Sequence, residues 1–203
     1  KTGSTTLQTF FDKNRAGLSA QGVRYWYTDT PTGSSISLAN AALTGIGRKL
    51  GRARVGARAG KPTAEEGRER LDAYRAELAE IAATATESAL LVSSEHVSVR
   101  QRDAESIAAI DALFRESFDA VDYIYYIRNQ HDLALSRYSQ RVKGGMGVPL
   151  DVMLDRSMKS LDHLPFVETW IDTIGAERFH LRLMDPTALV NGDLCDDFCH
   201  VIG

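Results

Sequence analysis

Long apolar runs are missing from this chain. No stretch approaches the roughly 20 residues that a helix needs to span a bilayer, and no apolar signal-peptide segment is visible. Cysteine is scarce. Cys195 and Cys199 are the only two, which excludes a disulfide framework. They stand four apart rather than in a C-x-x-C pair, and no third cysteine completes a zinc site, so no metal is expected. Two small thiols on one face of a helix, in a reducing compartment, account for them. An excess of positive charge is also lacking. Twenty-four basic against 27 acidic residues give a net charge of −3, which argues against wholesale nucleic-acid binding. What remains is ordinary for a soluble globular chain: 203 residues, 43% apolar and 25% charged, enough for one domain with a substantial core. No internal repeat or interdomain linker is seen. The chain lacks an initiator methionine and opens within what reads as a motif. A single domain over 1–203, continuing beyond both ends, is therefore expected.

Periodicity assigns most elements. A helix is expected over 4–16, ending near Gly17, then a short strand at 23–27 built of β-branched and aromatic residues. Residues 28–61 are rich in Gly, Ser, Thr and Ala. Their second half carries Arg48, Lys49, Arg52, Arg54, Arg58 and Lys61 without an acid, and reads as one long basic loop. Pro62 to Glu65 opens a long helix whose apolar face is Leu71, Tyr74, Leu78 and Ile81. The unbroken apolar runs at 89–92 and 121–127 read as strands buried on both faces. Helices follow at 103–117, 131–143, 149–161, 165–174 and 193–200, with a late strand at 179–184. Strands alternating with helices imply right-handed crossovers and a mostly parallel central sheet flanked by helices. In such sheets ligands bind beyond the carboxyl ends of the strands.

Three segments fall at such ends or in adjoining turns. The first is the opening, Lys1-Thr2-Gly3-Ser4-Thr5-Thr6, before Leu7, Phe10 and Phe11. A glycine that lets backbone approach an anion, hydroxyl residues that cap a helix, and the free N–H groups of a first turn together suit a phosphate. The second is Ser93-Ser94-Glu95-His96. The third runs from Arg128, at the end of a strand, to Ser136 inside the next helix. A guanidinium and a hydroxyl converging on one anion form a recurrent phosphate clamp. The bland alternative is an arginine bridging to a carboxylate. The opening is not a Walker A loop, because its lysine precedes the glycine.

The opening resembles the 5′-phosphosulfate loop of the sulfotransferases, which reads Lys-Ser/Thr-Gly-Ser/Thr-Ser/Thr. Arg128-Asn129 through Ser136-Arg137-Tyr138 resembles their 3′-phosphate motif. The stretch from Trp170 through Phe179, Arg182 and Asp185 to Asp197-Phe198 is similar to the C-terminal part of bacterial carbohydrate-type sulfotransferases. The resemblance implies a three-layer, P-loop-like α/β fold. It implies the donor 3′-phosphoadenosine 5′-phosphosulfate (PAPS) and a metal-free transfer of its sulfuryl group to an acceptor hydroxyl, on a carbohydrate first and a lipid-linked or small alcohol next. By position, Lys1 would meet the bridging oxygen. The N–H groups from Gly3 to Thr6, with the Thr5 and Thr6 hydroxyls, would bind the 5′-phosphate. Arg128 and Ser136 would bind the 3′-phosphate. An Ala- and Arg-rich composition points to a bacterial, cytoplasmic enzyme.

The base is expected at Glu95 or His96, side by side after a strand. His96 has the more suitable unperturbed pKa, and Glu95 is favoured by the carbohydrate-type pattern. Adjacent residues point different ways, so one of the two is expected to face the site. The alternative for this pair is that Glu95 caps the next helix while His96 lies on the surface. His131 is expected to be solvated, and Tyr123, Tyr125 and Tyr126 to pack within a sheet. Two other functions stay open: a nucleotide-dependent phosphotransferase, and a degenerate member serving as a non-catalytic binding module.

Overall fold

The computed structural model describes residues 3–29, 34–50, 62–145 and 147–203, with the backbone alone for 156–160. Among them, α1 (Ser4–Lys13) and α2 (Arg15–Ala20) precede β1 (Val23–Trp26). α3 (Ile36–Gly45) and α4 (Ala64–Thr84) follow, then β2 (Ala89–Val92), α5 (Val97–Arg100) and α6 (Ala104–Arg115). β3 (Tyr123–Ile127), α7 (Gln130–Lys143), α8 (Leu150–Leu161), α9 (Leu164–Ile174), β4 (Phe179–Leu183) and α10 (Leu194–Ile202) complete the order. This is a mixed α/β protein. No helix among the described residues is long and apolar enough to cross a membrane.

The strands pair in parallel, β1 with β2 and β3 with β4. Instead of the single sheet expected, they form two separate two-stranded ladders among the described residues. The strands are also less buried than their apolar runs suggest: β2 is half-buried with one exposed end, and β3 is half-buried except at Tyr126. Among the described residues each of these strands has one hydrogen-bonded neighbour.

Side-chain alternation in both pairs nevertheless feeds the same two cores. Trp26, Leu90, Val92, Tyr123, Tyr125 and Phe179 enter a cluster with Leu38, Leu78, Ile107, Ile110 and Trp170 from α3, α4, α6 and α9. Tyr25, Leu91, Ile124 and Tyr126 enter the other, with Leu7 and Phe11 of α1 and Leu194 and Phe198 of α10. A period of two sends neighbouring strand residues to opposite sides, so helices cover both faces. The three strand tyrosines pack as expected. Tyr126 gives its hydroxyl hydrogen to Asp197 at 2.7 Å, and Tyr123 gives its own to Asp111 at 3.2 Å.

Two local expectations are corrected. The first helix stops at Asn14, and Gly17 sits inside the second. The long loop over 28–61 contains α3, whose Leu38, Ala39, Ala41 and Ala42 are almost wholly buried. Its small residues let it lie close against α4. A Cβ on Gly67 would fall 2.6 Å from the Gly45 nitrogen, so only glycine fits there. Composition alone resembles a loop; an all-round apolar helix of small residues is a buried one. Asp29, just past β1, receives the Ser37 N–H at 2.8 Å and so serves the start of α3. Arg48, from the expected basic loop, forms an exposed ion pair with Glu105 at 2.8 Å. Residues 51–61 lie outside the described residues.

Candidate active site

The site begins at Gly3, which caps α1 in the left-handed region at φ +71°. A side chain there meets strain and a collision: a Cβ would overlap Leu194 of α10 and stand 3.4 Å from Met184 Cε. Only glycine brings the helix start so close to these two residues. The hydroxyl residues are placed differently from expectation. Ser4, Thr5 and Thr6 form the first turn itself, and no side chain among the described residues caps it. Nor does this turn hold an acid. Its N–H groups and the positive end of the helix dipole are thus left for an anion. Thr5 and Thr6 are exposed. The Ser4 hydroxyl is buried and has no hydrogen-bond partner among the described residues. Lys1 and Thr2 lie outside the described residues.

Met184 locates this turn against the strands. Its N–H bonds to the Ile127 carbonyl at 2.7 Å, closing the β3–β4 ladder at its carboxyl end. Arg128 is the next residue of β3 and emerges at that same end. Its backbone carbonyl accepts the Nε2–H of His163 at 3.0 Å. Its half-buried guanidinium makes no hydrogen bond or ion pair among the described residues, so Arg128 is not the carboxylate bridge of the bland alternative. Asn129 caps α7 by accepting the Asp132 N–H at 2.9 Å, and Ser136 follows, half-buried, within that helix. His131 is 81% exposed, as expected of a solvated helix start. Beside it a cleft of about 480 Å³ opens between α7 and α8, with Ala134, Leu150, Leu154 and Leu161 among its walls.

The third segment reaches the same helix. One turn after Ser4, Gln8 is only 7% exposed, and its Nε2–H bonds to Glu95 Oε2 at 3.1 Å. Glu95 follows β2 in a turn, with its side chain 16% exposed. It does not cap the following helix. His96 occupies the cap position of α5 without a side-chain bond, and the Glu95 backbone carbonyl, not its carboxylate, accepts from Ser98 at 3.0 Å. His96 is not a surface residue either: its side chain is 28% exposed and its Nε2 stands 3.7 Å from Glu95 Oε1. Both base candidates therefore face one another, contrary to the expectation that adjacent residues diverge. The turn is held from below. Arg100 bonds to Asn40 Oδ1 at 2.8 Å, and the buried Gln101 bonds to the Ala39 carbonyl at 2.9 Å, both on α3. Tyr25 of β1 closes the other side, its hydroxyl pushed up to about 12 chiefly by burial.

The first two turns of α1 thus tie the carboxyl end of the β3–β4 pair, through Gly3, to the turn after β2, through Gln8. Sequence reasoning passed over Gln8. Its signal was a long polar side chain on the stripe of Ser4, beside the apolar Leu7 and Phe11. It also left unexplained the anchor beneath the site, Asp197, which is fully buried and accepts from Tyr126, from Arg182 and from the Val190 N–H at 3.1 Å. Arg182 holds its carboxyl down at about 2. Cys195 and Cys199 share α10, with burial raising both thiols above their ordinary value. Comparison of the chain with protein families, characterised proteins and solved structures finds no match.

Proposed function

We propose that this protein is a PAPS-dependent sulfotransferase acting on an acceptor hydroxyl, with a carbohydrate as the favoured acceptor. One observation carries the reading: a glycine-opened helix start, uncapped by any side chain among the described residues, abuts the strand end that delivers Arg128, which has no side-chain partner among them, while the same helix grips a carboxylate beyond another strand. The alternation of strand residues between two helix-covered cores supports a three-layer, P-loop-like arrangement.

In this reading the donor's 5′-phosphate lies over the N–H groups of Ser4 to Thr6, where the helix dipole favours negative charge. Arg128, with Ser136 one helix on, takes the 3′-phosphate by charge-assisted bonds. The acceptor hydroxyl attacks sulfur as its proton passes to the Glu95 carboxylate. The bond between sulfur and the bridging oxygen breaks, and its electron pair leaves with 3′-phosphoadenosine 5′-phosphate (PAP). Charge developing on that oxygen is the place for a fixed cation, which is the role of Lys1. His96, 3.7 Å from Glu95, is the second proton acceptor in reach. Such an enzyme needs no metal, and a cytoplasmic setting supplies the donor.

The deciding experiment is a thermal-shift comparison of PAP with ADP, AMP and GDP, followed by an acceptor screen with ³⁵S-labelled PAPS. Stabilisation by PAP alone, with label moving to a sugar hydroxyl, is expected. Stabilisation by ADP without PAP makes the protein a phosphotransferase. PAP binding without transfer to any acceptor makes it a binding module.

A further inference from the structure

We propose that Gln8 is the positioning residue for Glu95, holding it as a carboxylate and linking it mechanically to the donor's phosphate seat. The inference rests on the sulfotransferase reading for its catalytic meaning. Its observations stand apart from that reading.

Gln8 is nearly sealed from solvent, where an unpaired amide is costly. Its Nε2–H reaches Glu95 Oε2 across 87 residues of sequence, in a direction no helix-internal bond requires. An amide N–H can only donate, so the bond favours the ionised carboxyl over the acid. It occupies one oxygen and fixes the plane of the other, Oε1, on the side of His96. Gln8 also lies one turn from Ser4, on the same stripe of α1. A phosphate that orders the first turn of α1 therefore orders the donor of this bond as well. Binding at one end of two helical turns sets the base at the other.

Titratable and charged neighbours of Glu95 among the described residues come from two elements. His96 flanks it on its own turn, and Tyr25 approaches from β1. Arg15 and Asp12, on α2 and α1, lie beyond Tyr25, with the Arg15 guanidinium 5.2 Å from the Tyr25 ring centre. An imidazole flanks this carboxylate at 3.7 Å, so the test is also run with His96→Asn.

The test compares wild type with Gln8→Met, which keeps the volume and removes the donor, and Gln8→Lys, which restores an N–H. Side-chain ¹³C NMR follows the Glu95 carboxyl against pH, PAP titration follows the seat, and the kcat–pH profile follows the reaction. In Gln8→Met the Glu95 titration and the acid limb of kcat are expected to move to higher pH by roughly one unit. PAP affinity should stay within about threefold, and Gln8→Lys should return the limb to the wild-type position or below it. An unmoved titration in Gln8→Met, in a protein that still binds PAP, overturns the proposal and leaves Gln8 as packing. Should Gln8→Met not fold, Gln8→Leu, which also lacks a donor, takes its place, and an unmoved titration there overturns the proposal in the same way. If the wild type transfers no sulfuryl group, the sulfotransferase reading fails by itself, and the carboxyl titration alone decides whether Gln8 holds Glu95.

Discussion

Replacing Arg182 by methionine tests the buried anchor of α10. Methionine keeps much of the side-chain stem but removes the guanidinium from Asp197, a carboxylate with no exposed surface. The Tyr126 hydroxyl and the Val190 N–H remain as donors. Removing one partner of a buried ion pair costs about 3–5 kcal/mol. Two surviving donors, and an arginine that is itself 31% exposed, place this case near the lower end, at about 3 kcal/mol. For a chain of this size, each kcal/mol moves Tm by about 2–4 °C, so a drop of about 6–12 °C is expected at pH 7. The sign with pH follows from the folded-state carboxyl, held at about 2 against an ordinary value near 4. Its stabilisation is complete above the unfolded value and is lost as pH falls from about 4 through 2. The gap between wild type and Arg182→Met should therefore be widest above about pH 4 and shrink below it. Circular-dichroism melts at pH 7, 4 and 2.5 measure this directly. A gap of under 2 °C at pH 7, or one that stays constant down to about pH 2.5, refutes the reasoning.

Other expectations concern the site. Gly3→Ala faces both a left-handed backbone and the Leu194 side chain. It should cost about 1–2 kcal/mol in a melt and weaken PAP in calorimetry, since the helix start must retreat. Arg128→Ala should weaken PAP by about ten- to a hundredfold, while a ligand without the 3′-phosphate loses little; equal losses for both ligands make the arginine structural. Glu95→Gln should lower turnover by roughly 10²–10⁴ with PAP affinity unchanged, and His96→Asn should be mild. The reverse pattern moves the base to His96.

Amphipathic helices were plain in the sequence because their signal is local. Leu78, Ile81, Ile107 and Ile110 recur at helical spacing and are the residues found in the core. In the structure, reciprocal capping closes two of the starts, Thr63 with Glu66 and Asp103 with Ser106. The helix over Ile36–Gly45 was hidden because the glycine, serine, threonine and asparagine in and around it signal loops by propensity, while here its small residues serve close packing against Gly67, a partner 22 residues beyond Gly45. The division of the strands into two pairs was equally hidden, since an apolar run says that a strand is covered without saying whether a strand or a side chain covers it. At the site, the strand-end positions of Glu95 and Arg128 were legible from the order of elements. The grip of Gln8 on Glu95 was not, because no local pattern encodes a bond between residues so far apart.

The same remoteness bears on how the protein comes into being. Gly3 leaves the ribosome well before its packing partners Met184 and Leu194, and the Gln8 bond waits for residue 95. During synthesis the amphipathic α1 must exist without its final neighbours, its Leu7 and Phe11 uncovered by Phe198. Contacts of such separation form slowly, because their loop entropy is lost before they repay it. The packing around the start of α1 is thus completed late, and a nascent chain halted before α10 lacks the Leu194 and Phe198 that cover it.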